Sequence, residues 1–238
     1  MFGLFNKTRK LHQAEAAYAR SVGMKNPADL RRKVEIVAID DQDFYPETNL
    51  RNAGFNIITR RDIQQLHEVE PFSIVLCDVN GVGTALNATQ QGAFVIQEII
   101  ANFPDKIVIA YTAGGLNQAN VRLAKQVAHG YLRKDASIDE WRDLLDEKIK
   151  MLVNPIEMWK VLRLRLLTKG IELSDLLRLE QVVLKNVDSG AKTTKEALNK
   201  VLKSEGKSAW ESEVTKFIAS KAFELAFALA KQQVLPSP

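Results

Sequence analysis

Asp40-Asp41, Asp78, Thr112 and Lys134 each close a short apolar run, and their side chains together suit one kind of chemistry. Clustered carboxylates bind a hard divalent cation such as Mg²⁺, which takes oxygen ligands and keeps several waters. A carboxylate attacks phosphorus directly and forms an aspartyl-phosphate. A hydroxyl and an ammonium group stabilise charge on the oxygens of a transferring phosphoryl group. One aspartate alone says little. The signal lies in the order of these residues and in the shared place each holds, at the end of an apolar run.

The runs read as strands. Val34–Ile39 ends in the acidic pair, Phe55–Thr59 is a second strand, and Phe72–Cys77 ends at Asp78. Ile107–Tyr111 ends at Thr112, and Gly130–Leu132 ends near Lys134. Helical segments lie between, clearest at Gly92–Asn102 and Asn117–Ala128, and a capping box of Ser137 and Glu140 opens a closing helix. Near-continuous apolar strands alternating with helices specify a parallel sheet covered on both faces. Right-handed crossovers then bring the strand ends to one edge, where open α/β sheets bind ligands. After residue 150 the strands stop. Asn154-Pro155 caps a helix over 155–168, and a second runs over Ser174–Val187 to a turn at Asp188-Ser189-Gly190. Thr193 with Glu196 and Ser208 with Glu211 read as capping boxes of two more helices. The last places Trp210, Val214, Phe217, Ile218, Ala222 and Leu225 at helical spacing on a face meant for burial.

At the motifs VAIDDQ, IVLCDVNG, IAYTAG and YLRKD the chain resembles the receiver domains of bacterial two-component signalling, over about residues 33–150. The 22 residues from Thr112 to Lys134 are the family's usual spacing. The resemblance implies a flavodoxin-like, five-stranded parallel receiver domain, followed by an all-α region of no recognised family. It implies Asp78 as phosphoacceptor and Asp41 as direct Mg²⁺ ligand, with Asp40 acting mostly through metal-bound water. Asn80 matches the position whose backbone carbonyl reaches the metal. Lys134 and Thr112 would meet the phosphoryl oxygens, and Tyr131 matches the aromatic switch position. The sequence departs from the family in three places. The loop Val79–Gln91 is long, rich in Gly and Asn, and lacks the customary proline. Asp135 stands where proline usually follows the lysine. The stretch from Asp41 to Asp78 is short, so the first or second helix is expected to be trimmed.

Charge divides the chain into the same modules. Residues 1–32 carry net +5, residues 33–150 net −5 and residues 151–238 net +4. The expected domains are a basic helical arm over 1–32, the receiver over 33–152 and an all-helical output or dimerisation domain over 153–238. The expected partner is a sensor histidine kinase or phosphorelay protein, and a homodimer is one role open to the helices. A DNA-binding regulator is the alternative suggested by the basic C-terminal helices, although Lys192–Lys207 has no clear helix-turn-helix spacing. A receiver-like interaction module that is never phosphorylated is another. Binding to a membrane surface through Met1–Phe5 is not expected. No nucleophile–base pair or metal constellation follows residue 150, so no enzymatic output is expected. A lone cysteine, Cys77, and no secretion signal fit a cytoplasmic protein. His12, His67 and His129 lack metal-ligand spacing.

Overall fold

The computed structural model describes residues 10–115, 118–202 and 208–232. They form two compact units: Asn26–Lys150, and the flanking segments up to Lys25 and from Met151 onward. The expected arm is divided between them. Helix α1 (Leu11–Gly23) lies in the flanking unit, and α2 (Pro27–Lys33) opens the central one. Asn26 caps α2 by accepting from Ala28 N, and Pro27 takes the first turn, where its missing N–H costs nothing. Residues 1–9, which include the apolar start and Lys7 and Arg9, lie outside the described residues.

In the central unit the chain runs β1 (Glu35–Ile39), α3 (Glu47–Asn52), β2 (Asn56–Arg60), β3 (Ile74–Asp78), α4 (Gly92–Asn102), β4 (Ile107–Thr112), α5 (Ala119–Val127), β5 (Gly130–Arg133) and α6 (Ile138–Leu152). The five strands are parallel in the order β2-β1-β3-β4-β5, the flavodoxin-like arrangement expected from the alternating pattern. Every residue of β3 and β4 is buried, which is why both read as unbroken apolar runs. Val108 and Ala110 pack on one face with Val75, Cys77, Ile96 and Val121. Tyr111 points to the opposite face, against Trp141 of α6.

The short interval between the first and third strands trims two helices. Helix α3 spans six residues, and between β2 and β3 there is only a 3-10 turn, Leu66–Val69. The loop after Lys134 is closed by the expected capping box, in which Ser137 N and Oγ lie 2.8 and 2.9 Å from Glu140 Oε2. Asn117 of the expected fourth-strand crossover lies outside the described residues; α5 begins at Ala119.

The flanking unit is helical: α1, then α7 (Pro155–Thr168), α8 (Leu173–Asn186), α9 (Ala191–Asn199), α10 (Ala209–Ala219) and α11 (Lys221–Lys231). Two details differ from the sequence reading. Thr193 is inside α9 and caps nothing. Gly190, at φ +89°, turns the chain earlier and the helix starts at Ala191. The single last helix is two. Ser220 adopts an extended conformation (φ −80°, ψ 153°), and its hydroxyl accepts from Phe223 N to cap α11. A mid-pattern serine can serve either role, and the break lets Phe217, Phe223 and Phe227 pack with centroids 5.3 and 4.3 Å apart. The Ser208–Glu211 box forms as read.

Gly92 is where the fold and the acidic edge are joined. A Cβ on it would sit 1.8 Å from the carbonyl oxygen of Asp78, which cannot move without distorting β3. Gly92→Ala is expected to cost about 3 kcal/mol, the upper range for overpacking, because the clash is with backbone. Urea unfolding of parent and variant tests this, and an unchanged midpoint contradicts it.

Candidate functional site

The parallel sheet delivers its strand ends to one rim. β1 is followed directly by Asp40, β3 ends at Asp78, β4 ends at Thr112, and Lys134 follows β5. Backbone pairing continues past the strands, with Val79 N to Tyr111 O and Lys134 N to Thr112 O both at 3.0 Å. The loops therefore leave the sheet in register, and the side chains converge.

Lys134 sits at the centre. Its Nζ lies 2.6 Å from Asp78 Oδ2 and 2.9 Å from Asp40 Oδ1. Asp40 is fully buried and Asp78 is 3% exposed, whereas Asp41 faces solvent. Ligand oxygens of Asp40, Asp41 and Asp78 all lie within 4.8 Å of one another. Burial pushes the Asp78 carboxyl above its ordinary value, and the bonds from Lys134 and the Asn80 N–H only partly oppose it. Burial pulls Lys134 the other way, but hydrogen bonds and charge from Asp78 and Asp40 outweigh it, so the ammonium is held charged. Three carboxylates face one cation here. The excess negative charge and the all-oxygen donor set are what a hard divalent cation requires.

The remaining expected residues lie around this core. Asn80 N donates to Asp78 Oδ1 at 3.2 Å, and the Asn80 side chain donates to Thr112 Oγ1 at 2.9 Å. Gly114 N also donates to Thr112 Oγ1, at 3.0 Å. Thr112 is thus buried with both donors aimed at its oxygen, leaving its own proton to give. Tyr131 stands apart from the carboxylates. It is half-buried against the core on the α4–α5 side, with Lys125 Nζ 5.2 Å from its ring centroid. Its buried hydroxyl has no hydrogen-bond partner.

Three participants were not legible as such in the sequence. Tyr111, read there as strand core, has its hydroxyl 3.0 Å from Asp40 Oδ2 and 3.1 Å from Ile39 O. Burial first, then the charge of Asp40, pushes its phenol well above the ordinary range, so it stays a donor. Gln91 adopts φ +50°, which is strained for a residue with a side chain, and its Oε1 accepts from Gly81 N at 2.9 Å. Gly81 lies against the Asp41 carboxylate, which a Cβ would approach to 2.5 Å. Asp62 Oδ1 accepts from Gly83 N at 2.6 Å and so ties the long loop to the end of β2. Within that loop Val82 is buried, Leu86 packs on the core, and Thr89 O accepts from Asn120 of α5. The loop is folded back onto the domain.

Strand order and rim together define the fold as that of a receiver domain. No family model matches the sequence, and no curated protein matches it. Among solved structures, the chain is similar to a CheY-like response regulator receiver domain protein of Methanospirillum hungatei. The identity is 15% and the TM-score 0.41, over 49% of this chain and 93% of that one. A response regulator of Thermotoga maritima matches at 22% identity and TM-score 0.40, over 49% and 97% of the two chains. A response regulator protein of Burkholderia pseudomallei, solved with a phosphorylated aspartic acid, calcium ion and citrate, matches at 18% identity and TM-score 0.39, over 70% and 92%. Among the described residues no helix is long and apolar enough to cross a membrane.

A carboxyl whose ionisation is pushed to higher pH gives up its proton less readily in the folded chain than in the unfolded one. Its charge at neutral pH therefore costs folding free energy, about 1.4 kcal/mol for each tenfold weakening of the acid. Asp78→Asn, with Lys134 still paired to Asp40, is expected to raise the unfolding midpoint in EDTA at neutral pH. Thermal unfolding in EDTA reads this; a lowered midpoint contradicts it.

Proposed function

We propose that the chain is a response regulator of two-component phosphorelay signalling, phosphorylated on Asp78 in a Mg²⁺-dependent manner. The observation that carries the proposal is Lys134 Nζ bridging Asp78 and Asp40, with the Asp41 carboxylate close enough to share a divalent ion. Residues 33–152 are the receiver and 153–238 the helical output region, with 1–32 as an appended basic segment.

Asp78, Asp41 and the Asn80 carbonyl would hold the Mg²⁺, with Asp40 acting mostly through its waters. When bound, the ion neutralises the carboxylates and draws charge from the transferring phosphoryl oxygens. An Asp78 oxygen attacks phosphorus of a phosphohistidine on a sensor histidine kinase or relay protein. The new O–P bond forms as the P–N bond breaks, and the leaving imidazole takes up a proton. Lys134 then exchanges its bonds to Asp78 and Asp40 for a phosphoryl oxygen, and Thr112 gives its hydroxyl proton to another. A threonine drawn toward the phosphoryl group vacates space toward β5. Tyr131 loses no hydrogen bond by moving into it, because its hydroxyl has none. The result is a population shift between two packings of the α4–β5 surface, biased by the phosphoryl group.

The helical region serves self-association or partner contact. Four large side chains there, Leu164, Leu167, Leu173 and Leu177, are 45% exposed or more, which supports a surface role.

Two measurements test the proposal. Incubation with Mg²⁺ and acetyl phosphate is expected to label the parent and not Asp78→Asn, while circular dichroism stays unchanged; normal labelling of the variant overturns the assignment. Lys134→Ala is expected to weaken the change in size and shape driven by beryllofluoride by about tenfold in concentration, and Mg²⁺ binding by much less, because it removes a charge-assisted bond made to the phosphoryl group. Equal response of parent and variant in small-angle scattering contradicts the role given to Lys134.

A further inference from the structure

Asp40 is fully buried, and its carboxylate is held from three sides. Oδ1 accepts from Lys134 Nζ at 2.9 Å and from Gln42 N at 3.0 Å. Oδ2 faces the Tyr111 hydroxyl at 3.0 Å. The tyrosine has one proton, and between Asp40 and the neutral Ile39 carbonyl the charged acceptor makes the stronger bond. The hydroxyl cannot wander, because the ring is clamped. Its centroid lies 5.4 Å from Phe44 and 5.4 Å from Trp141, and those two rings meet edge-on at 5.2 Å. Phe44 belongs to the same loop as Asp41, and Trp141 to α6. Lys134 Nζ lies 5.8 Å from the centre of the same ring, close enough for a cation–π attraction.

We infer that Tyr111 is a positioning residue for phosphoryl transfer: its fixed hydroxyl holds Asp40 so that Lys134 can leave that carboxylate for the phosphoryl group. The inference deepens the proposed function and rests on that reading. Lys134 cannot serve the phosphoryl oxygens fully while it also neutralises Asp40. Moving it away takes from a buried carboxylate its one direct bond to a cation, because Asp40 would meet the metal only through water, and that is costly unless other donors remain. Tyr111 and the Gln42 N–H are those donors, and neither has to move. The tyrosine also sits on the opposite face of β4 from Ala110, so it acts independently of the Thr112–Tyr131 side of the sheet.

Tyr111→Phe tests this in the full chain, because it keeps the ring between Phe44 and Trp141 and deletes only the donor. The rate of phosphoryl uptake from acetyl phosphate at saturating Mg²⁺ is expected to fall about tenfold, the scale of one lost bond to a charged group. In an Asp40→Asn background, where no charge needs holding, the same substitution is expected to have little further effect. Rescue by Tyr111→Trp is not expected, since the indole N–H cannot occupy the phenol position. A packing role would instead shift the unfolding midpoint and leave the uptake rate alone. Equal rates for parent and Tyr111→Phe, or the same fold-loss in both backgrounds, overturn the inference while leaving phosphorylation of Asp78 standing. A parent chain that takes up no phosphoryl group overturns the proposed function itself, and this inference with it.

Discussion

One ammonium group shared by two buried carboxylates organises the rim of the sheet. Lys134 reaches Asp78 at 2.6 Å and Asp40 at 2.9 Å, and no other ion pair to either carboxylate forms among the described residues. Removing charges from water is expensive, and one cation does not balance three carboxylates. The cluster is therefore held short of positive charge. In the proposed function a divalent ion would relieve it, and a phosphoryl group would change which oxygens the lysine serves. The cost in stability and the affinity for added positive charge come from the same imbalance.

The strands that bring these groups together also separate them by face. On β4, Val108 and Ala110 pack toward α4 and α5, while Tyr111 turns toward Trp141 and the Asp40 carboxylate. Thr112, next in sequence, meets the Asn80 side chain and the Gly114 N–H. Two adjacent residues thus serve two parts of the site, one anchoring an acid and the other offering a hydroxyl proton. The pleat makes this division without any added element.

Backbone approach sets the other constraint. Gly92 lets α4 begin against the Asp78 carbonyl, and Gly81, at φ +83°, lets the loop pass the Asp41 carboxylate. Gln91 bears a strained φ of +50° between them, and its side chain holds Gly81 N. Strain of this kind persists only where surroundings over-determine it. Here Val82, Leu86 and Asp62 fix the loop from both ends.

The receiver fold and the set Asp40, Asp41, Asp78, Thr112 and Lys134 were legible in the chain, because each residue closes a buried strand and buried parallel strands are written as apolar runs. Local capping signals were legible where side chain and backbone lie three residues apart, as at Ser137 and Ser208. They misled at Thr193, where Gly190 turned the chain first, and at Ser220, where a serine inside an apolar pattern ended one helix and began another. Only the tertiary structure decided the contact of Tyr111 with Asp40. Its partner lies 71 residues away along the chain, and no local spacing encodes a contact made by packing strands side by side.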